Sequence, residues 1–233
     1  MKKIIGISGW KRSGKDTFAT MIKNMHTSTS ILSLAAPLKD ACMLDYGLSP
    51  DECYKQSLKE LPLRKLPCRI TDKYAAHAFK NVAEECRDME GNRGTDYRIV
   101  EGYAIQAESG MSLYWTPRAL MIFKGSNQRT MNPDYWLDQL CQKVESTRSS
   151  LYLIPDMRYI NEADYLASRF GENFVSVRIE GRVETESTDP SERDLDNYKF
   201  QWKILNNQGL EELESAAKSF LGDVLHASSY SRA

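Results

Sequence analysis

Apolar residues gather in short runs at 3–8, 31–34, 151–155, 173–179 and 203–205. Runs of this length without strict polar alternation predict strands buried on both faces of a parallel sheet. Between them, apolar positions recur at helical spacing over 15–25, 37–46, 116–124, 133–147, 162–170 and 210–225. Strand and helix in alternation predict an α/β chain: a doubly wound sheet of five parallel strands, covered on both faces. In such a sheet ligands sit beyond the carboxyl ends of the strands, so the segments after residues 8, 155 and 205 are expected to converge there.

Two stretches break the alternation. Residues 49–112 are too many for one crossover and carry few strand signals; 71–86 predicts a helix, and 88–96, with Gly91 and Gly94, a loop. This region is read as a mostly helical insertion in a single domain spanning 1–233. Residues 181–200 are charged, interrupted by Asp189-Pro190 and poor in apolar side chains. They are read as a lid, mobile without ligand. Residues 227–233 are expected to fray.

The first connection carries the clearest chemistry. Gly9-Trp10-Lys11-Arg12-Ser13-Gly14-Lys15-Asp16-Thr17 joins a predicted strand to a predicted helix, the context in which G-x-x-x-x-G-K binds nucleotide phosphates. Gly9 and Gly14 let the backbone curl so that N–H groups face an anion. The helix N-terminus adds its field, and Lys15 can reach the β- and γ-phosphates. The residue after the lysine is Asp16 where Ser or Thr is usual, and the hydroxyl arrives one position later, as Thr17. Both are candidate magnesium ligands.

Composition narrows the field of partners. A net charge of -1 over 233 residues leaves no basic field for nucleic acid. Basic residues gather locally, at Lys11, Arg12 and Lys15 and again at Arg178, Arg182 and Arg193, which suits a small polyanion. No apolar run is long enough to span a membrane, and a buried strand at the start argues against a signal peptide, so a cytoplasmic location is expected. Five cysteines, Cys42, Cys53, Cys68, Cys86 and Cys141, show no paired spacing and read as reduced thiols.

Phosphoryl transfer needs charge neutralisation and alignment. Asp156, directly after the 151–155 run, is the carboxylate best placed to hold magnesium or touch an acceptor, with Arg158 two residues on. Thr116 and Pro117 predict a helix start that carries Arg118 in its first turn, where a cation opposes the dipole unless an anion compensates. Arg129 follows Gly125-Ser126-Asn127-Gln128 and is read as loop-borne. Trp136 is read as core or as a wall of the acceptor pocket. Arg182 or Arg193 would act on the transferring phosphate, and the Asn206-Asn207-Gln208-Gly209 turn is read as a helix-capping turn whose position also suits contact with the adenine base.

Taken in order, several segments resemble the tailed-phage deoxynucleoside monophosphate kinases. They are Ser8–Thr17, Leu34-Ala35-Ala36-Pro37-Leu38-Lys39-Asp40-Ala41, Arg118-Ala119-Leu120-Met121 with Gly125 and Tyr135-Trp136, Ile154-Pro155-Asp156-Met157-Arg158 with Glu162, and Ile204-Leu205-Asn206-Asn207 with Gly209 and 210–213. The resemblance implies a P-loop kinase that moves the γ-phosphate of ATP, with Mg²⁺, to a deoxynucleoside 5′-monophosphate for phage DNA synthesis, as a homodimer in the host cytoplasm. It implies phosphate-loop roles for Gly9, Ser13, Gly14, Lys15 and Thr17, and acceptor-side roles for Lys39, Arg118, Arg129, Asp156, Arg158 and Glu162. Dephospho-coenzyme A kinase and phosphomevalonate kinase share the scaffold and stand as alternatives, as does a nucleotide-binding module without turnover.

Overall fold

The computed structural model describes residues 2–67, 98–100, 102–107, 111–181 and 193–230. In chain order its elements are β1 (Lys3–Ser8), α1 (Lys15–Met25), β2 (Thr29–Ile31), α2 (Ala36–Tyr46), α3 (Pro50–Tyr54), β3 (Arg98–Val100), β4 (Tyr103–Ala107) and β5 (Met111–Tyr114). There follow α4 (Pro117–Met131), α5 (Tyr135–Ser146), β6 (Leu151–Ile154), α6 (Ile160–Phe170), β7 (Phe174–Glu180), β8 (Trp202–Leu205) and α7 (Leu210–Tyr230). The chain forms two compact units, one from residues 1–36 and 137–233, the other from 37–136.

The first unit is the expected five-stranded parallel sheet, in the order β2-β6-β1-β7-β8. Its P-loop kinase fold follows from how β1 divides its side chains. Ile5 and Ile7 face Phe18, Ala19 and Ile22 of α1 and Leu213, Ala217 and Phe220 of α7. Ile4 turns to the other face, with Tyr152, Ile154, Leu140, Val144 and Leu166. This period of two, with both faces apolar, is why the run reads as continuous. Complete burial of a side chain such as Phe18 contributes about 2–3 kcal/mol. Gly6 is required by packing: a Cβ there would stand 2.8 Å from the Met157 sulfur and 2.9 Å from the Phe174 ring.

β2 ends at Ile31, short of the predicted 31–34 run, for a chemical reason. The Asp156 carboxylate accepts hydrogen bonds from the Ser33 hydroxyl at 2.6 Å and the Leu34 N–H at 2.9 Å, and so turns the chain out of the ladder. At the other end of the chain, α7 continues to Tyr230, through part of the expected frayed tail. Among the described residues no helix is long and apolar enough to cross a membrane.

The second unit packs α2, α3 and α4 around Cys42, Leu48, Cys53, Leu63, Tyr103, Leu113, Trp115, Ala119 and Leu120. Among the described residues of 49–112, the stretch expected to be mostly helical, lie α3 and also the strands β3 and β4, which join β5 in an antiparallel sheet. Strands of three to five residues leave little periodic signal. The β3–β4 turn rests on Gly102 at φ +83°, a left-handed geometry that glycine adopts freely. The predicted helix 71–86 and loop 88–96 lie outside the described residues, as do Cys68 and Cys86. Cys42, Cys53 and Cys141 are buried and free. Burial pushes the Cys42 thiol up to about 12 and that of Cys141 to about 11, so both stay protonated.

Candidate active site

β1 ends at Ser8, and the next six residues turn the chain into α1. Gly9 sits at φ +151°, Arg12 at +66° and Gly14 at +100°. Positive-φ residues recurring along so short a loop are the backbone geometry from which anion nests are built. Both glycines are also fixed by crowding. A Cβ at Gly9 would lie 2.5 Å from the Ile179 carbonyl oxygen, and one at Gly14 would lie 2.5 Å from Asn206 Nδ2. Gly14 is the N-cap of α1, and no side chain caps that helix. Its first N–H groups are left for a ligand. Asp16 and Thr17 are exposed in the first turn, beside that opening.

Lys15 finds partners within its own loop. Its ammonium donates to the carbonyls of Gly9 at 2.7 Å and Trp10 at 2.8 Å, folded back over its own loop. Those two bonds keep a half-buried charge satisfied and hold it above the nest. Lys11 and Arg12 are exposed on the outer turn.

Asn206 is tied to the same loop. Read as a contact for adenine, it is 4% exposed, and its Nδ2 donates to the Ser13 carbonyl at 2.8 Å. Its own N–H donates to the Glu180 carbonyl, which anchors the turn after β8 to the end of β7. Asn206 therefore clamps the phosphate loop from beneath, and its side chain does not present itself to a base. The neighbouring Asn207 is exposed at the same turn.

Beside the loop lies a cavity of about 310 Å³ lined by Trp10, Ser13, Arg178, Ile179, Glu180, Gly181 and Asp196. Arg178, with only 8% of its side chain exposed, donates to Ser8 Oγ at 3.0 Å and pairs with Asp196 at 2.5 Å. The Trp10 indole N–H donates to the same Asp196 oxygen at 2.9 Å. Arg193 also points to Asp196, at 3.6 Å, so in this state its charge is turned toward a carboxylate. The segment around it is better anchored than its composition suggests: Leu195 is buried, and Tyr198 and Phe200 pack on the same core. Arg182 lies outside the described residues.

Gly6 pairs with Ile154 across β1 and β6, so Asp156 leaves its strand level with Ser8, at the root of the loop. Glu162, in the first turn of α6, accepts from the N–H groups of Arg158 at 2.7 Å and Tyr159 at 3.0 Å. Burial pushes its carboxyl up to about 7, and the nearby Asp156 charge adds to the rise, while those two N–H groups act against it. The Arg158 side chain is exposed.

In the second unit, Thr116 caps α4 by accepting from the Ala119 N–H, with Pro117 following, as its sequence indicates. Arg118 in that first turn is paired with Glu60, an anion that the chain itself supplies. Lys39 lies over the Tyr54 ring, 4.1 Å from its centre. Arg129 is carried by a helix and not by a loop, because α4 runs on through residues 125–128. The low helix propensity of Gly125, Ser126 and Asn127 is overridden by packing. Gly125 is buried, with room for Leu38 3.2 Å from where a Cβ would stand, and its carbonyl accepts from the Trp136 indole at 3.3 Å. Trp136 is 8% exposed, its ring edge-on to Tyr135, which places it in packing and not as an open pocket wall.

Comparison with known proteins agrees with this geometry. Residues 3–66, which hold the phosphate loop, match the family described as deoxynucleotide monophosphate kinase. The chain is also 27% identical over 242 residues to the deoxynucleotide monophosphate kinase of Enterobacteria phage T4, covering 94% of this chain and 98% of that protein. The chain is an ATP-dependent kinase. Its resemblance to the deoxynucleotide monophosphate kinases, drawn from scattered motifs, holds from end to end.

Two residues beside the loop were missed or given another role in the sequence. Asp196 had no signal beyond a charge in a polar stretch. The clamp at Asn206 was visible as a residue but not as a role, because only the fold brings position 206 beneath position 13.

Proposed function

We propose that this kinase transfers the γ-phosphate of ATP to a deoxynucleoside 5′-monophosphate, releasing ADP and a deoxynucleoside diphosphate. The observation that carries the reading is the glycine-built anion nest at the uncapped start of α1, within a chain similar along its length to a phage deoxynucleotide monophosphate kinase. The loop N–H groups and Lys15 would bind the donor phosphates. Leaving the loop carbonyls of Gly9 and Trp10 for the γ-phosphate, Lys15 would keep its charge beside the oxygens on which negative charge develops.

Magnesium fits the donor set. Among the described residues no group of three or more His, Cys, Asp or Glu could hold a metal. Mg²⁺ in kinase sites needs no such cage, since phosphates and water supply most of its oxygens. Thr17, Asp16 and Asp156 are the oxygen donors at the loop and at the end of β6, and would hold it directly or through water. When bound, the ion neutralises charge shared between the β- and γ-phosphates. On the acceptor side, Lys39, Arg118, Arg129, Arg158 and Glu162 are assigned to the monophosphate, and Arg193 or Arg182 to the transferring group. The homodimer, the host cytoplasm and a role in DNA precursor supply belong to the same reading.

The test is ADP release from ATP and Mg²⁺ with each deoxynucleoside monophosphate, each ribonucleoside monophosphate and dephospho-coenzyme A as acceptor. Turnover with one or more deoxynucleotides well above the others is expected. Turnover with dephospho-coenzyme A alone, or ADP release independent of any acceptor, would overturn it.

A further inference from the structure

Lys39 and Arg118 have a third cation beside them that no motif marks. Lys59 follows the 3-10 turn Gln56–Leu58, and its carbonyl accepts the Arg118 N–H at 3.0 Å. That bond ties the Lys59–Glu60 step to the first turn of α4. Lys39 is fixed from the opposite end of the same segment. Its ammonium sits on the ring of Tyr54, at the end of α3, and its carbonyl is met by the Cys53 thiol. Three half-buried cations are thereby carried on neighbouring segments of one compact unit, Lys59 and Arg118 joined by a backbone bond and Lys39 held by contacts with α3.

The arrangement is electrostatically incomplete. Glu60 answers Arg118, and Asp40 lies near Tyr54. Among the described residues no hydrogen bond or ion pair engages the Lys59 ammonium. Burial, then the charges of Lys39 and Arg118, lower its pKa against the smaller pull of Glu60. Packing like charges together raises the energy of the resting chain. A doubly charged anion placed among them would remove that repulsion and gain charge-assisted hydrogen bonds.

We propose that Lys59 is a further acceptor-binding residue, forming with Lys39 and Arg118 a three-cation site for the 5′-phosphate of the monophosphate. The inference rests on the kinase reading for the identity of the acceptor, but the anion site itself does not depend on it. Arg118 supplies planar donors and Lys39 a point charge held by an aromatic face. Lys59 supplies the charge that the chain leaves least compensated.

The experiment uses the full chain in two arms. In the first, Lys59→Met and Lys59→Arg are compared in steady-state kinetics, with the deoxynucleotide that the acceptor screen returns. Lys59→Met is expected to raise the acceptor KM about tenfold or more while the ATP KM stays within about twofold. Lys59→Arg is expected to restore most of the loss. In the second arm, the lysine side chains of the wild-type chain are observed by NMR during titration with inorganic phosphate, the Lys59 resonance being assigned by its loss in either variant. That resonance is expected to move. An unchanged acceptor KM in Lys59→Met, or a resonance indifferent to phosphate, overturns the inference. If Lys59→Met does not fold, Lys59→Arg and the wild-type titration decide it. If no deoxynucleotide is phosphorylated while the resonance moves with phosphate, the acceptor assignment fails and the anion site stands.

Discussion

Replacing Gly14 with Ala tests whether Asn206 holds the phosphate loop. The new methyl group would enter at φ +100° and meet Asn206 Nδ2 at 2.5 Å. The backbone strain costs about 1–2 kcal/mol for an L-residue in left-handed geometry. Displacing Asn206 breaks its bond to the Ser13 carbonyl and leaves a buried acceptor unsatisfied, about 1–3 kcal/mol more. Gly14→Ala is therefore expected to lose about 2–5 kcal/mol, and Asn206→Ala alone about 1–3 kcal/mol. In the double variant the bond is lost only once, so its stability should match that of Gly14→Ala, with a coupling of about 1–3 kcal/mol. Urea unfolding of all four proteins measures the cycle, and calorimetry with ATP should follow it, since the same clamp shapes the nest. Strictly additive losses would refute the reasoning, because they would mean that Gly14 is required by its φ alone.

Lys15→Ala should lower kcat about a hundredfold or more and cost about 1 kcal/mol or less of stability, since it removes two partly exposed bonds to carbonyls. Turnover and thermal melting together check this. Asp196→Ala strips the carboxylate from a buried Arg178 and should destabilise the chain by about 3 kcal/mol in urea. A loss below about 0.5 kcal/mol would deny the network. Glu162 gives a pH dependence. Its carboxyl lies near 7 when folded against an ordinary 4.5, so the folded chain holds the extra proton between those values and stability falls as pH rises through that window. The loss is about 1–3 kcal/mol, and Glu162→Gln should flatten the slope.

Much of this molecule is written in local sequence. The boundaries of β1 and α1 follow from an apolar run and a Gly-Lys-x-Thr turn, because a phosphate loop is built almost wholly from its own nine residues. The start of α4 follows from Thr116 and Pro117, because capping is a contact between neighbours. The three central strands, β6, β1 and β7, are legible because a parallel sheet covered on both faces needs continuous apolar runs.

Tertiary structure decided what depends on distant partners. Asp156 ended β2 by capturing Ser33 and Leu34 from more than a hundred residues away. Leu38 and Trp136 kept α4 helical through Gly125 and carried Arg129 with it. Asn206 passed from a base contact to a clamp once β8 lay beside β7. Lys59 became a candidate ligand only when Arg118 took hold of its carbonyl. A sequence pattern reports the periodicity and propensity of adjacent residues. A charge or an amide acquires its role from whatever the fold brings against it, and that information lies in no single window of the chain.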